Sequence, residues 1–468
     1  MEHTTIQPND ILTKAESLRG TLSTSFRDEI VKSLYSEAEA IAKRAVKTAQ
    51  DKKYDLDQKI DRLVTSPIVG LPIMLILLSL IIWLTVSGAN VFSSAIANVL
   101  FGIGDWGRAL FESAGFIPWW VTGFIWDGVY LGLAWVISVM LPPMAIFFPA
   151  FTFMEDLGYL PRVAFNLDWL FKKAGAHGKQ SLTMAMGFGC NAAGVIATRV
   201  IDSPRERLIA ILTNNFVPCN GRFPTLIMLA TVFVAASFSP ALTSFIAAGT
   251  VVGVVLIGVG FTFLMSWLLS RTILKGEASA FTLELPPYRR PNVTRILYTS
   301  IIDRTIFVLW RAMQTAAPAG AIIWTLANIH VGDSNLARMI ADWLNPFGLL
   351  LGLDGVILLA YIIAIPANEI VVPTMMMVYL GAGMMIDGPG TSAGIFDLLV
   401  NGNGWTMLTA VNLMLFALLH NPCATTIITI YKETKSYKWA TVSVIITLGV
   451  AFLVTFATAS IARLLGWV

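Results

Sequence analysis

Long apolar segments interrupted by short polar breaks constrain this chain more than any other feature, and all three of its cysteines lie in such breaks. The breaks read Gly187-Phe188-Gly189-Cys190-Asn191, Val217-Pro218-Cys219-Asn220-Gly221-Arg222 and His420-Asn421-Pro422-Cys423-Ala424-Thr425. In each, Gly or Pro loosens the helix, and amide or hydroxyl side chains stand close to the thiol. Non-helical backbone at membrane depth is tolerated only where protein buries it or where it lines a wet cavity. Broken helices that meet near the midplane are how many transporters build a substrate site. Thiolates favour soft or borderline metal ions over magnesium or calcium, so three thiols placed this way point to a path for such an ion.

Composition supports the membrane setting. Only 13% of the 468 residues are charged and 56% are hydrophobic, whereas soluble domains carry about 25% charged residues. The net charge of +3 says little about a polyanionic partner such as nucleic acid, and the basic residues read instead as topology signals. An odd number of cysteines in apolar surroundings argues against a disulfide framework. The first 20 residues lack the apolar stretch of a signal peptide, so the amino terminus is expected in the cytosol of an inner-membrane protein. No G-x-x-x-x-G-K-[ST] loop occurs in the sequence. The chain is therefore expected to be a transporter rather than an enzyme, with no nucleotide site and no tightly held cofactor.

Residues 1–66 stand apart from the rest. From Ile30 to Ala49 the segment is charged and alanine-rich, with Ile30, Leu34, Ile41 and Ala45 at helical spacing. It reads as a cytosolic helical lead-in, or alternatively as a docking arm for a soluble partner. Residues 67–300 and 301–468 form two membrane halves. Spans are predicted over about 69–86, 129–153, 208–236 (interrupted at 218–224), 241–270, 306–326 and 346–363. A further span contains Cys423 and reaches Ile430, and the last covers about 439–465. Trp106, Trp119, Trp120 and Trp126, within 91–126, read as an interfacial belt, and Pro142-Pro143 predicts a kink. Residues 181–198 lie between two basic loops and read as re-entrant, a full span being the alternative. The fold class is an all-α polytopic membrane protein of about eight to ten transmembrane or re-entrant helices.

An internal echo accompanies the breaks. Cys190 and Arg199 are spaced like Cys423 and Lys432, and Pro218-Cys219-Asn220 with Pro224-Thr225 resembles Pro366-Ala367-Asn368 with Pro373-Thr374. Matching broken segments in two halves mark a transporter site, and the sequence leaves open whether the halves are parallel or inverted.

The candidate pathway residues are Cys190, Cys219 and Cys423 with Asn191, Asn220 and Asn421 beside them. A free cysteine can also be a small buried hydrophobe. Weak ligation suits permeation, because an ion held strongly does not leave. Glu369 stands in the apolar run from Ile362 to Leu380, where a carboxylate marks an ion or proton path, or else favours the amino end of a short helix. His420 adjoins the third break and is a candidate imidazole ligand, or a hydrogen-bonded packing residue. Glu155 and Asp156, at a span end, read as gating residues or as a solvated pair. Met375, Met376, Met377, Met384 and Met385 are possible soft ligands, although core filling is the commoner role of methionine.

Taken together, these motifs resemble the membrane portion of the FeoB ferrous iron transporter family, from about Lys59 to the carboxyl terminus. The resemblance rests on Asp61-Arg62 ahead of Gly70-Leu71-Pro72-Ile73, on Met154-Glu155-Asp156-Leu157-Gly158-Tyr159 and on His177-Gly178-Lys179. It continues through the three cysteine motifs, Pro366-Ala367-Asn368-Glu369 and Glu433-Thr434. It implies two nucleoside-recognition "Gate" repeats, motif 1 at about 181–236 and motif 2 at about 347–431, around a path for transported Fe²⁺. Family members usually carry a GTPase domain ahead of the membrane region. Here the resemblance implies a separate small GTPase acting in trans, with a small FeoA-like cytosolic protein, the lipid bilayer and further copies of the chain as the other expected partners. Asn368 stands where the family commonly has Lys, and His420 where an aromatic residue is typical. The alternative is a Gate-fold membrane protein without metal transport, either an assembly or signalling component or a carrier of nucleosides or other small solutes.

Overall fold

The computed structural model describes residues 26–45, 52–66, 68–234, 240–276, 288, 290–332, 334–386 and 392–466. The protein is all-α, as the apolar runs predict. A two-residue pairing of His330–Val331 with Ser334–Asn335 is the only strand structure among the described residues. Six helices among them are long and apolar enough to cross a membrane: Trp119–Leu157, Pro204–Val234, Ile246–Arg271, Val293–Asn328, Met407–Thr434 and Tyr437–Leu464. The chain is a multi-pass membrane protein, its backbone polar groups satisfied within helices because hydrocarbon offers them no partner.

Two expectations change. The helix Gly70–Ser113 runs unbroken for 44 residues, so residues 91–113 are not a separate stretch but prolong the first apolar helix. It packs along Trp119–Leu157. Trp126 supports this packing, with its ring edge-on to Phe111 at 5.6 Å and directly against Gly107, where a Cβ would collide with the indole. Nor is 346–363 continuous, since Leu336–Leu350 and Gly355–Ile363 meet at 110°. The bend is local chemistry. Gly352 takes the left-handed conformation (φ 67°), which only glycine adopts freely. Asp354 then caps the next helix, its Oδ1 accepting from the Ile357 amide at 2.7 Å.

The lead-in contributes helices Phe26–Ala45 and Lys52–Val64; residues 1–25 and 46–51 lie outside the described residues. Lys52–Val64 is pinned to the membrane body by Arg162, which is 1% exposed. The Arg162 guanidinium donates to both Asp61 carboxylate oxygens (3.0 and 3.2 Å) and to the Gly158 carbonyl (2.7 Å), and lies 4.2 Å over the Tyr288 ring. Burial and the neighbouring Asp61 push the Tyr288 hydroxyl up to about 12.

Two segments enter and return on the same face. In the first, Gln180–Gly189 and Asn191–Ala197 pack on each other across Cys190. Lys179 at its start donates to the Val200 carbonyl (3.0 Å) and the Asp202 carboxylate (2.9 Å) at its end, which closes the base. That bond holds Asp202 below the usual carboxylate range. In the second, Gly355–Ile363 and Val371–Leu380 flank the break at Pro366-Ala367. Its base is closed by the Tyr379 hydroxyl donating to Asp354 at 2.5 Å, with the Trp405 indole N–H donating to both at 3.0–3.1 Å.

A broken span follows each hairpin, and the two spans run in opposite directions. Pro204–Val234 starts at the first hairpin's base and ends where Phe233 stacks on Trp405 at 5.9 Å, at the second hairpin's base. Met407–Thr434 starts beside Trp405 and ends with Glu433 bound to Arg199 at 2.6 Å, back at the first base. The halves are therefore inverted. Backbone angles at the breaks agree: Cys190 (φ −153°, ψ 125°) matches Ala367 (φ −152°, ψ 116°), and Cys219 (φ −84°, ψ 169°) matches Cys423 (φ −63°, ψ 158°). The spacing echo pairs Cys190 with Cys423 and Cys219 with Ala367. The structure replaces that pairing with hairpin to hairpin and span to span.

Candidate functional site

The four breaks converge on one another. Proline and glycine open each helix, and the freed backbone groups are then satisfied across the breaks. The Ala424 amide donates to the Ile365 carbonyl at 2.8 Å, joining the second broken span to the second hairpin. Oriented to satisfy its neighbours, the Asn191 amide donates to the carbonyls of Val217 and Gly187, each at 3.2 Å, joining the first hairpin to the first broken span. Asn214 donates to the Asn191 carbonyl at 3.1 Å.

Arg222 is the strongest of these ties. It is 2% exposed. Its guanidinium donates to the carbonyls of Asn215 (2.9 Å), Leu418 (2.6 Å), His420 (3.0 Å) and Asn421 (3.4 Å). It thus caps the carbonyl end of Met407–Leu419 with a positive charge, where the helix dipole favours one. Sequence reasoning uses Arg222 only as a landmark. It stands in an apolar run as Glu369 does, and the same rule on intramembrane charge singles it out.

At the convergence lies a cavity of about 30 Å³, lined by all three cysteines, Met140, Met144, Asn191, Asn368 and Glu369 among others. It has room for roughly two water molecules. Cys190 belongs to the first hairpin, Cys219 and Cys423 to the two broken spans, and Glu369 to the second hairpin. Glu369 lies hard against Gly221, where a Cβ would overlap its carboxylate oxygen; only glycine permits that approach. Among the described residues, no three His, Cys, Asp or Glu side chains are grouped closely enough to hold a metal ion. The thiols line a cavity and do not form a compact chelate.

The remaining candidates are placed elsewhere. Asn220 and Asn421 flank the cavity without lining it, Asn421 donating to the Pro422 carbonyl at 3.3 Å. His420 sits behind the wall. Its Nδ1 is 3.0 Å from the carbonyls of Phe416 and Ala417, and its Nε2 is 3.4 Å from the Asn368 amide oxygen. Glu155 and Asp156 lie on the face of the first hairpin's base, Glu155 3.3 Å from Arg304 and Asp156 accepting from the Asn292 amide at 3.5 Å. Met375, Met376, Met377 and Met385 are buried in the core away from the cavity, and Met384 lines a separate cleft. Met140 and Met144, which do line it, carry no sequence signal beyond a spacing that puts both on one helix face beside Pro142-Pro143.

Residues 137–233 match the Gate family, described as nucleoside recognition, and residues 251–303 match the carboxyl terminus of ferrous iron transport protein B. The chain is 27% identical over 97% of its length to the Fe(2+) transporter FeoB of Staphylococcus aureus (strain MSSA476). It is 27% identical over 89% of its length to that of Campylobacter jejuni. It covers 67% of each of these two relatives, and so spans about two thirds of their length. A "Fe(2+) transport protein A/Fe(2+) transporter FeoB fusion protein" of Porphyromonas gingivalis is also 27% identical, over 86% of this chain and 51% of its own length. No solved structure matches. The resemblance carried by the breaks and their flanking motifs is thereby borne out: over nearly its whole length the chain is similar to the FeoB ferrous iron transporters.

Proposed function

We propose that this chain is the ion-conducting membrane part of a ferrous iron transporter, passing Fe²⁺ or a similar divalent transition ion through the thiol-lined cavity. One observation carries the proposal: the only three cysteines in the sequence, on three different broken segments, line one buried space. Thiolates and a carboxylate suit a borderline divalent ion, and donors spread along a passage suit release as well as capture. In this role Glu369 draws the cation in, Asn191 and Asn368 offer amide oxygens or shape the wall, and Asn220, Asn421 and His420 hold the breaks in form. A space with room for roughly two waters suits an ion, whereas a nucleoside would have to spread the walls.

Arg162, Lys172, Lys173, Lys179, Arg199, Arg205 and Arg207 gather on the side of the first hairpin's base, which the positive-inside tendency assigns to the cytosol. Glu155 and Asp156 then lie at the cytosolic mouth, and the lead-in pinned by Arg162 lies in the cytosol. Gating by a GTPase in trans acts on that face, residues 1–66 serving as its dock. The fusion relative supports a FeoA-like partner.

Purified protein in liposomes should take up Fe²⁺, and thiol-blocking reagents should abolish the uptake. Uptake that survives complete modification of all three thiols would overturn the proposal.

A further inference from the structure

The thiols and Glu369 fill only part of the cavity wall. The part supplied by the long helix Trp119–Leu157 is two methionines, Met140 and Met144, 7% and 2% exposed. They lie four residues apart, so both side chains leave the same face of the helix. Five sulfur-bearing residues therefore border one space of about 30 Å³, three cysteines and two methionines, with Glu369 the only carboxylate among its lining residues. Methionine commonly fills core gaps. Here the two residues border a cavity that every cysteine in the chain also lines, and among the described residues His, Cys, Asp and Glu alone supply no three-ligand set. The two methionines put further soft donor groups in the lining of the same space.

We propose that Met140 and Met144 are ligand residues that set the specificity of this site, and that they make it a binding site for soft monovalent d¹⁰ cations of the copper(I) class as well as for Fe²⁺. A thioether is neutral and soft. It adds little for Mn²⁺ or Mg²⁺, whose preferred donors are oxygens, and much for an ion that prefers sulfur. Unlike a thiol, it ligates without losing a proton, so its contribution does not depend on pH. The Fe²⁺ part of the inference rests on the transport reading above; the soft-cation part does not.

Ag⁺ is the probe, titrated calorimetrically into the purified full chain. The Met140→Leu/Met144→Leu double variant nearly conserves volume and apolar character and so should leave the fold intact. The expected result is at least a tenfold loss of Ag⁺ affinity at one site in that variant, with the melting temperature held within a few degrees. In liposomes, the Ag⁺ concentration that halves each chain's own Fe²⁺ uptake, whatever its starting rate, should be at least tenfold higher for the double variant than for the unaltered chain. Each single Leu variant should fall between the two. Equal Ag⁺ affinity and equal block in the folded double variant would overturn the inference while leaving the iron reading intact. Methionine-dependent Ag⁺ binding in a chain that takes up no Fe²⁺ would sustain the soft-cation assignment and refute the iron reading.

Discussion

At the scale of the residue, the cavity depends on a few atoms whose replacement separates ligation from folding. Cys423→Ser keeps size and removes the soft donor, so Fe²⁺ uptake should fall at least tenfold while folded protein in the membrane is unchanged; normal uptake by the triple serine variant of Cys190, Cys219 and Cys423 would refute a thiol pathway. Glu369→Gln should slow uptake more than it lowers the melting temperature; an unchanged rate with a lowered melting temperature would make Glu369 a helix-end group instead. Gly221→Ala drives a methyl group into the Glu369 carboxylate, which can swing away only by leaving its place in the cavity. The expected outcome is a severalfold loss of uptake with little loss of stability, measured on the same preparation. The three thiols and Glu369 were legible because polar atoms in apolar runs are costly and so conspicuous. Arg222 obeyed the same rule. Met140 and Met144 were not legible, since a methionine in a membrane helix is ordinary until the helix is seen to face three cysteines.

At the scale of the element, the two hairpins and the two broken spans are held by different chemistry, and their failures should differ. Arg222→Met leaves the carbonyls of Asn215, Leu418 and His420 without their cation in a dry interior, at about 1–3 kcal/mol for each buried group left unpaired. That should lower the melting temperature markedly, whereas Tyr379→Phe removes two hydrogen bonds at the second hairpin's base, the one it donates to Asp354 and the one it accepts from Trp405, and should cost about 1–2 kcal/mol because Trp405 still reaches Asp354. The first hairpin's base should also respond to pH. His177 Nδ1 accepts from the Lys179 amide at 3.0 Å, and burial holds the imidazole below its usual pKa. A depressed folded value means that its stabilisation is complete above about pH 6.5 and is lost as pH falls through the folded value. Thermal melts of His177→Gln should therefore depend less steeply on pH below about 6.5 than those of the unaltered chain. Most helices were legible as apolar runs of the right length. The bend within 336–363 was not, because the left-handed Gly352 and the Asp354 cap look like any loop until the helices on either side are seen at 110°. The repeat was legible in substance and mispaired in detail: spacing drew Cys190 towards Cys423, whereas the shared Pro-Cys step of Pro218-Cys219 and Pro422-Cys423 marks the equivalent spans.

At the scale of the whole molecule, inversion places the two hairpin bases on opposite faces. Single cysteines introduced into the triple serine background at exposed positions, Val200→Cys by the first base and Met407→Cys by the second, should therefore react with a membrane-impermeant maleimide from opposite sides of the bilayer. Labelling of both from one side would contradict the inverted arrangement. Deleting residues 1–50 should leave a folded membrane body but uncouple uptake from a GTPase partner, and full nucleotide-dependent uptake by the truncated form would count against the lead-in as a dock. Inversion has a consequence for direction as well. Two near-equivalent halves set head to tail look much alike from either side of the bilayer, so the scaffold by itself carries no arrow. Under the transport reading, a one-way flow would have to come from what the two halves do not share. The plainest such difference is the Asp61–Arg162 clamp, which fastens a helix to one face only and so gives a nearly palindromic machine a front and a back.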